Sequence, residues 1–158
     1  MSNVRENERS KSKLEVIVKA SELALYTHKI LKNKNVFDPE IDDLTIEHLK
    51  LSSKNIYKYT YMANSIRVGN ALDWVRRDNY QNIAIDCCAE LLINIGLAKS
   101  LYHLRSKRVK YWSGLIVEER KLIRAWNESD SRRYKDYLEQ LDVLRPWVLT
   151  LATEDKKV

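Results

Sequence analysis

From Arg108 to Tyr134 the chain reads RVKYWSGLIVEERKLIRAWNESDSRRY, and Val109, Trp112, Ile116, Ile123 and Trp126 recur in it at three- and four-residue steps or their sum. On a helix these five side chains form one apolar stripe, and Lys110, Arg120, Lys121 and Arg124 fall largely off it. Such a segment must bury one face against other elements and leave a basic face to solvent. The same period returns on both sides of it. Only three Gly and two Pro occur in 158 residues, too few to supply the turns of a β-rich domain. The fold class is therefore all-α, in one domain long enough to bury a core without disulfides or metals.

Met1 to Lys13 are polar and charged and are expected to form a disordered arm, 1–13. A first helix is predicted from Leu14 to Lys32, with Leu14, Ile17, Ser21, Ala24 or Leu25, His28 and Leu31 inward. Asp38 before Pro39 predicts the cap and first residue of a second helix starting between Pro39 and Thr45 and running toward Arg67. Its inner side would be Leu49, Ser53, Ile56, Thr60, Ala63 and Ile66. Within it, IYKYTY alternates in period two like a half-buried strand, but helical spacing continues on either side.

Gly69 and Asn70 are expected to end the second helix, and VGNALDWVRRDN to connect it, partly helical, to a third from Tyr80 to His103. Ala84, Cys87, Cys88, Leu91, Ile95, Ala98 and Tyr102 would face inward there. The adjacent cysteines point about 100° apart on a helix, so they serve as small core residues and not as a bridge. Gly96, which costs about 1 kcal/mol of helix propensity against Ala, suggests the close approach of a neighbouring helix. Ser106 is the expected N-cap of a fourth helix reaching about Asn127. Tyr134, Tyr137, Leu138, Leu141, Leu144, Val148 and Leu151 predict a fifth, bent or ended near Pro146.

The sequence carries no pattern for catalysis. His28, His48 and His103 are scattered and fall in no metal-ligand motif, and glycine is too rare for a phosphate cradle. Glu118 with Glu119, Asp42 with Asp43, and Asp86 with Glu90 read as ordinary helix-surface carboxylates, and no Glu-x-x-His exists for a dimetal bundle site. No cofactor is expected. No apolar run approaches the roughly eighteen residues of a membrane span, and no signal-peptide stretch opens the chain, so a cytoplasmic protein is expected.

The formal charge of +6 biases encounters toward anionic partners. Arg105, Lys107, Arg108 and Lys110 open the fourth helix, Arg120, Lys121 and Arg124 ride its second half, and Arg132, Arg133 and Lys135 follow. A phosphate backbone would engage such a series through salt-dependent contacts. Arg132 and Arg133 pose an alternative: either the fourth helix continues to Tyr134, or they sit in the first turn of the fifth, where the helix dipole disfavours them unless an acidic partner is met. Tyr111, Trp112 and Trp126 lie amid these charges, and the two tryptophans belong to the apolar stripe.

The segments VIVKASELALYTHKI, IYKYTYMANSIRVGN, QNIAIDCCAELLINIGLA and RVKYWSGLIVEERKLIRAWNESDSRRY resemble the accessory variability determinant proteins of diversity-generating retroelements. Ala63-Asn64, Tyr111-Trp112, Ala125-Trp126, Asp130 and Arg133-Tyr134 carry the likeness most specifically, over Leu14 to Tyr134. A wider group includes bundle proteins encoded by intervening sequences of 23S ribosomal RNA genes. The resemblance implies an antiparallel four-helix bundle over 14–134, with an additional C-terminal helix and tail over 135–158 that departs from the family. It implies a non-enzymatic accessory factor that binds the retroelement reverse transcriptase and its template RNA, and a homo-oligomer, typically a pentamer. The family has no strict contact motif, so the implied contact set is Arg76, Arg77, Arg105, Lys107, Arg108, Lys110, Arg120, Lys121, Arg124, Arg132 and Arg133. The alternative is a structural bundle that meets only protein, through Tyr57, Tyr59, Tyr61 and the fifth helix.

Overall fold

A computed structural model describes residues 3–137 and 139–140, with side chains from Glu15 onward. Four long helices account for nearly all of it: α1 (Asn3–Leu31), α2 (Pro39–Ser65), α3 (Ala71–Leu101) and α4 (Ser106–Arg133). No strand occurs among the described residues. Each helix packs on its neighbours in the order α1, α2, α3, α4, and α4 closes the ring against α1. Contacts across the pairs run in opposite directions. Thr27 meets Trp112 while Lys19 meets Glu118, and Gln81 meets Asp130 while Ser52 meets Asn94 and Asp42 meets Tyr102. This is an up-and-down four-helix bundle, the arrangement that short loops between amphipathic helices favour.

The core is continuous, from Val16, Ala20 and Leu23 on α1 to Trp112, Ile116, Ile123 and Trp126 on α4. All seven residues predicted inward on the third helix are buried, Cys87 and Cys88 among them. The register of α1 differs from expectation: Val16, Ala20, Leu23, Thr27 and Leu31 are buried, whereas Leu25 is 67% exposed and His28 lies at the surface. The segment holds two apolar triplets, Val16-Ile17-Val18 and Leu23-Ala24-Leu25, so its spacing fits more than one face. Thr27 resolves the ambiguity by accepting a hydrogen bond from the buried Trp112 indole at 2.9 Å. Helix α1 also begins at Asn3, where Leu14 was the expected start.

Helix α2 opens in two stages. Asp38 caps Glu40 N at 3.0 Å ahead of Pro39. Asp42 then leaves helical geometry (φ −164°, ψ 94°), and its carboxylate takes both the backbone N–H and the hydroxyl of Thr45. Asp42 is thus a second N-cap, from which the long uninterrupted part of α2 departs. The IYKYTY stretch is helical. Tyr57 and Tyr61 pair on one face at 6.1 Å, and Tyr59 stacks on Tyr80 of α3 at 5.9 Å.

Helix α3 starts nine residues before the expected Tyr80. Asn70 does not end α2, which stops at Ser65; it caps α3, accepting from Asp73 N at 3.0 Å. The early turns carry Trp74, Arg77 and Gln81 on the buried side, the last two continuing the stripe with polar groups where a purely apolar pattern was sought. Gly96 is exposed, and a Cβ there would meet nothing within 4 Å, so no neighbouring helix approaches it among the described residues.

Helix α4 begins after Arg105, which is its N-cap residue and makes no side-chain capping bond; Ser106 is the first helical residue and not the cap. The helix runs past Asn127 to Arg133. After a turn at Tyr134, residues 135–137 and 139–140 are again helical, the start of a short fifth helix. The remainder of the predicted fifth helix lies outside the described residues.

Candidate nucleic-acid interface

Helix α4 has two opposed faces with the same period. Val109, Trp112, Ile116, Glu119, Ile123, Trp126 and Asp130 look inward, all buried except the half-buried Val109. Two residues before each of them, about 200° round the helix, lie Lys107, Lys110, Gly114, Val117, Lys121, Arg124 and Glu128. All seven are exposed, and Arg132 extends the row by one more turn. Five cations therefore lie along the outer face over about 37 Å of helix, at a rise of about 1.5 Å per residue. Only Glu128 opposes them on that row. None of the five makes an ion pair among the described residues.

The N-terminal end of α4 adds to this field. Helix dipoles place partial positive charge at the N-terminus, where the first N–H groups have no intrahelical partner. Here no side chain caps them and no acidic residue occupies the first turn, while Arg105, Lys107 and Arg108 crowd it. The opposite end is relaxed. Arg132 and Arg133 lie in the last turn of α4, where the dipole favours cations. The fourth helix therefore continues to Arg133, and Arg132 and Arg133 need no acidic partner to offset the dipole, which instead opposes the charge of Arg105, Lys107 and Arg108.

The other predicted contacts divide. Arg105 is exposed at the helix start, Arg108 is half-buried beside α1, and Arg120 is half-buried on the flank toward α3. Arg120 and Arg124 both lie near enough to Cys88 to oppose the rise of its thiol pKa, which burial drives to about 12. Arg76 is exposed on α3 and so is not part of the α4 row. Arg133 is exposed but bends back toward Asp130, with Nη1 3.7 Å from Oδ1.

Arg77 is a correction. It is 4% exposed, with Nη2 2.6 Å from Asp130 Oδ2, Nη1 donating to the Ile66 carbonyl at 3.3 Å, and the guanidinium 5.0 Å from the Trp126 ring. Gln81 Nε2 donates to the same Asp130 carboxylate at 3.0 Å, and Asn127 Nδ2 donates to Gln81 and Asp78 at 2.8 Å. This network joins α3 to α4. It holds Arg77 away from any external phosphate.

Two features escaped the sequence. Glu119, read as a surface carboxylate, is fully buried between Ile116 and Ile123, with neither oxygen hydrogen-bonded. Burial pushes its pKa up to about 8, helped by Glu118 and opposed by Lys19. Its place in the three-and-four spacing of the apolar stripe was the available signal. The second is a depression at the α1–α2 turn, where His28, Lys32, Lys34 and Lys50 stand over Leu31, Phe37 and Ile46. It lies at the end of the bundle where α4 begins, as the Thr27–Trp112 contact requires.

Among the described residues, no three His, Cys, Asp or Glu side chains are grouped to hold a metal ion, and no helix is long and apolar enough to cross a membrane. No protein-family model, curated protein or solved structure matches the chain.

Proposed function

We propose that the protein is a non-enzymatic adaptor that binds RNA through the outward face of α4. The observation that carries this reading is the row Lys107, Lys110, Lys121, Arg124 and Arg132, exposed and unpaired within the described chain, ending at an uncapped helix N-terminus. A row of separated ammonium and guanidinium groups neutralises successive phosphates without reading base sequence. Arg105, Arg108 and Arg120 flank it, and Arg76 lies apart. The sequence resemblance supports a retroelement reverse transcriptase as the protein partner and its template RNA as the nucleic acid, with mutagenic cDNA synthesis as the supported process and a homo-oligomer as the working form. Nucleic-acid capture by this face needs no catalytic group and no cofactor.

The test is a gel-shift series with structured RNA, comparing the wild type with a variant carrying Lys110→Ala, Lys121→Ala and Arg124→Ala. These side chains are exposed, so the variant should keep its melting temperature and lose most of its RNA affinity. Copurification with a reverse transcriptase encoded beside the gene tests the partner. A folded wild type that binds no RNA at low salt and retains no polymerase refutes both. The second reading, a bundle that meets protein alone, rests on the paired and exposed Tyr57 and Tyr61 of α2. It predicts that replacing those tyrosines removes partner binding and that the α4 variant does not.

A further inference from the structure

Tyr111 differs from the other aromatic residues of α4. Trp112 and Trp126 are buried in the core, whereas Tyr111 keeps 58% of its surface exposed. It precedes Trp112 by one residue and so points about 100° away from it, toward α1. There its ring meets the half-buried Tyr26 at 5.2 Å with the planes 64° apart, an edge-on contact that fixes one ring against the other. The brace is internal and the outer ring is open to solvent.

The surroundings are basic and unobstructed. Lys107, one turn back on the same helix, and Lys110, the preceding residue, are both exposed. Arg108 is close enough to Tyr26 to oppose the upward pull of burial and of Tyr111 on its phenol. One turn forward, Gly114 is exposed, and a Cβ there would meet nothing within 4 Å among the described residues. The absence of a side chain at Gly114 therefore leaves room beside Tyr111 for a planar group to approach the ring.

An exposed ring, a second ring to hold it, cations beside it and an open approach together match the chemistry of unpaired nucleic acid. A free base stacks on an aromatic face while its phosphates meet ammonium groups. A duplex keeps its bases stacked on one another and offers a protein its phosphates and groove edges. Resting on the reading that α4 binds a phosphate backbone, we propose that Tyr111, braced by Tyr26 and flanked by Lys107 and Lys110, is a base-stacking platform that makes this face selective for single-stranded nucleic acid. The strand stacks at the N-terminal end of α4 and continues over Lys121 and Arg124.

The experiment measures the affinity of the full chain for a short labelled oligoadenylate and for a duplex of equal length, across a salt series. The variants are Tyr111→Ala, Tyr111→Trp, and Lys121→Ala with Arg124→Ala. The single strand should bind more tightly than the duplex. Tyr111→Ala should weaken single-strand binding by about tenfold or more, the scale of one stacked base, and Tyr111→Trp should retain it. Because a neutral ring releases no counterions, Tyr111→Ala should leave the salt slope unchanged, whereas the Lys121 and Arg124 variant should flatten it. Equal or tighter duplex binding by the wild type, or wild-type affinity in Tyr111→Ala, overturns the platform. If the Lys121 and Arg124 variant still loses affinity in that case, the phosphate-binding reading stands without it. A folded protein that binds neither RNA at low salt overturns both.

Discussion

Arg77 of α3 and Asp130 of α4 meet as a buried ion pair, Nη2 to Oδ2 at 2.6 Å, with side chains 5% and 1% exposed. Removing one partner leaves a charge stranded in the core, a change that typically costs about 3–5 kcal/mol. Asp130→Ala should therefore lower the unfolding free energy by that order in a urea titration. Replacing both, as Arg77→Met with Asp130→Leu, should recover part of the loss, since two apolar groups need no pairing while Gln81 Nε2 still lacks its acceptor.

Glu119 makes stability depend on pH in a direction opposite to that of a paired carboxylate. Burial raises its pKa in the folded protein to about 8, against an ordinary value of 4.5. Between those values the folded state holds a proton that the unfolded state has released. Stability should therefore fall as pH rises from about 4.5 to about 8, by an amount on the order of a few kcal/mol, and level off above. Glu119→Leu should abolish that decline and melt at a higher temperature than the wild type at pH 8. Thermal unfolding of both proteins across the range checks the sign.

His103 sits at φ 49°, the one non-glycine residue of the described chain with positive φ. It ends α3 in a left-handed turn in which Leu104 N–H returns to the Lys99 carbonyl at 3.1 Å, the bond of a Schellman cap. Left-handed geometry costs a residue with a Cβ about 1–2 kcal/mol, while glycine adds about 0.4–1 kcal/mol of unfolded-state entropy. His103→Gly should thus stabilise the protein by roughly 0.5–1 kcal/mol, the difference between those terms. Equilibrium denaturation would register it as a higher midpoint with an unchanged slope.

Cys87 and Cys88 should be chemically silent. Burial pushes their thiols to about 11 and about 12, so almost no thiolate exists at neutral pH. An alkylating reagent at pH 8 should label neither in the native protein and both after unfolding, as counted by intact mass.

How much of this was legible beforehand differs by helix. Helix α3 carries small and apolar residues at unbroken three-and-four spacing from Ala84 to Tyr102, so its inner face could be read directly. The adjoining turns could not, because after Trp74 the same face is held by Arg77 and Gln81 through hydrogen bonds and an ion pair, which leave no apolar signature. Glu119 was misplaced for a related reason: a carboxylate on an apolar stripe is read as surface until its neighbours are known. Helix α1 is apolar on more than one side, and only its contact with Trp112 selects Thr27 as inward. The basic series around α4 was visible, but which members face outward depends on the helix continuing to Arg133 and on Asp130 drawing Arg77 inside.

Binding of a labelled single-stranded RNA across a salt series tests the outward face of α4 most directly. The logarithm of affinity should fall linearly with the logarithm of salt concentration, with a slope of about −0.7 for each phosphate engaged. Replacing Lys110, Lys121 and Arg124 together by Ala should reduce the magnitude of that slope by about 2. Arg77→Met, assayed where it remains folded, should leave it unchanged. Affinity independent of salt, or a triple variant with the wild-type slope, would contradict the assignment of α4 as a phosphate-binding face.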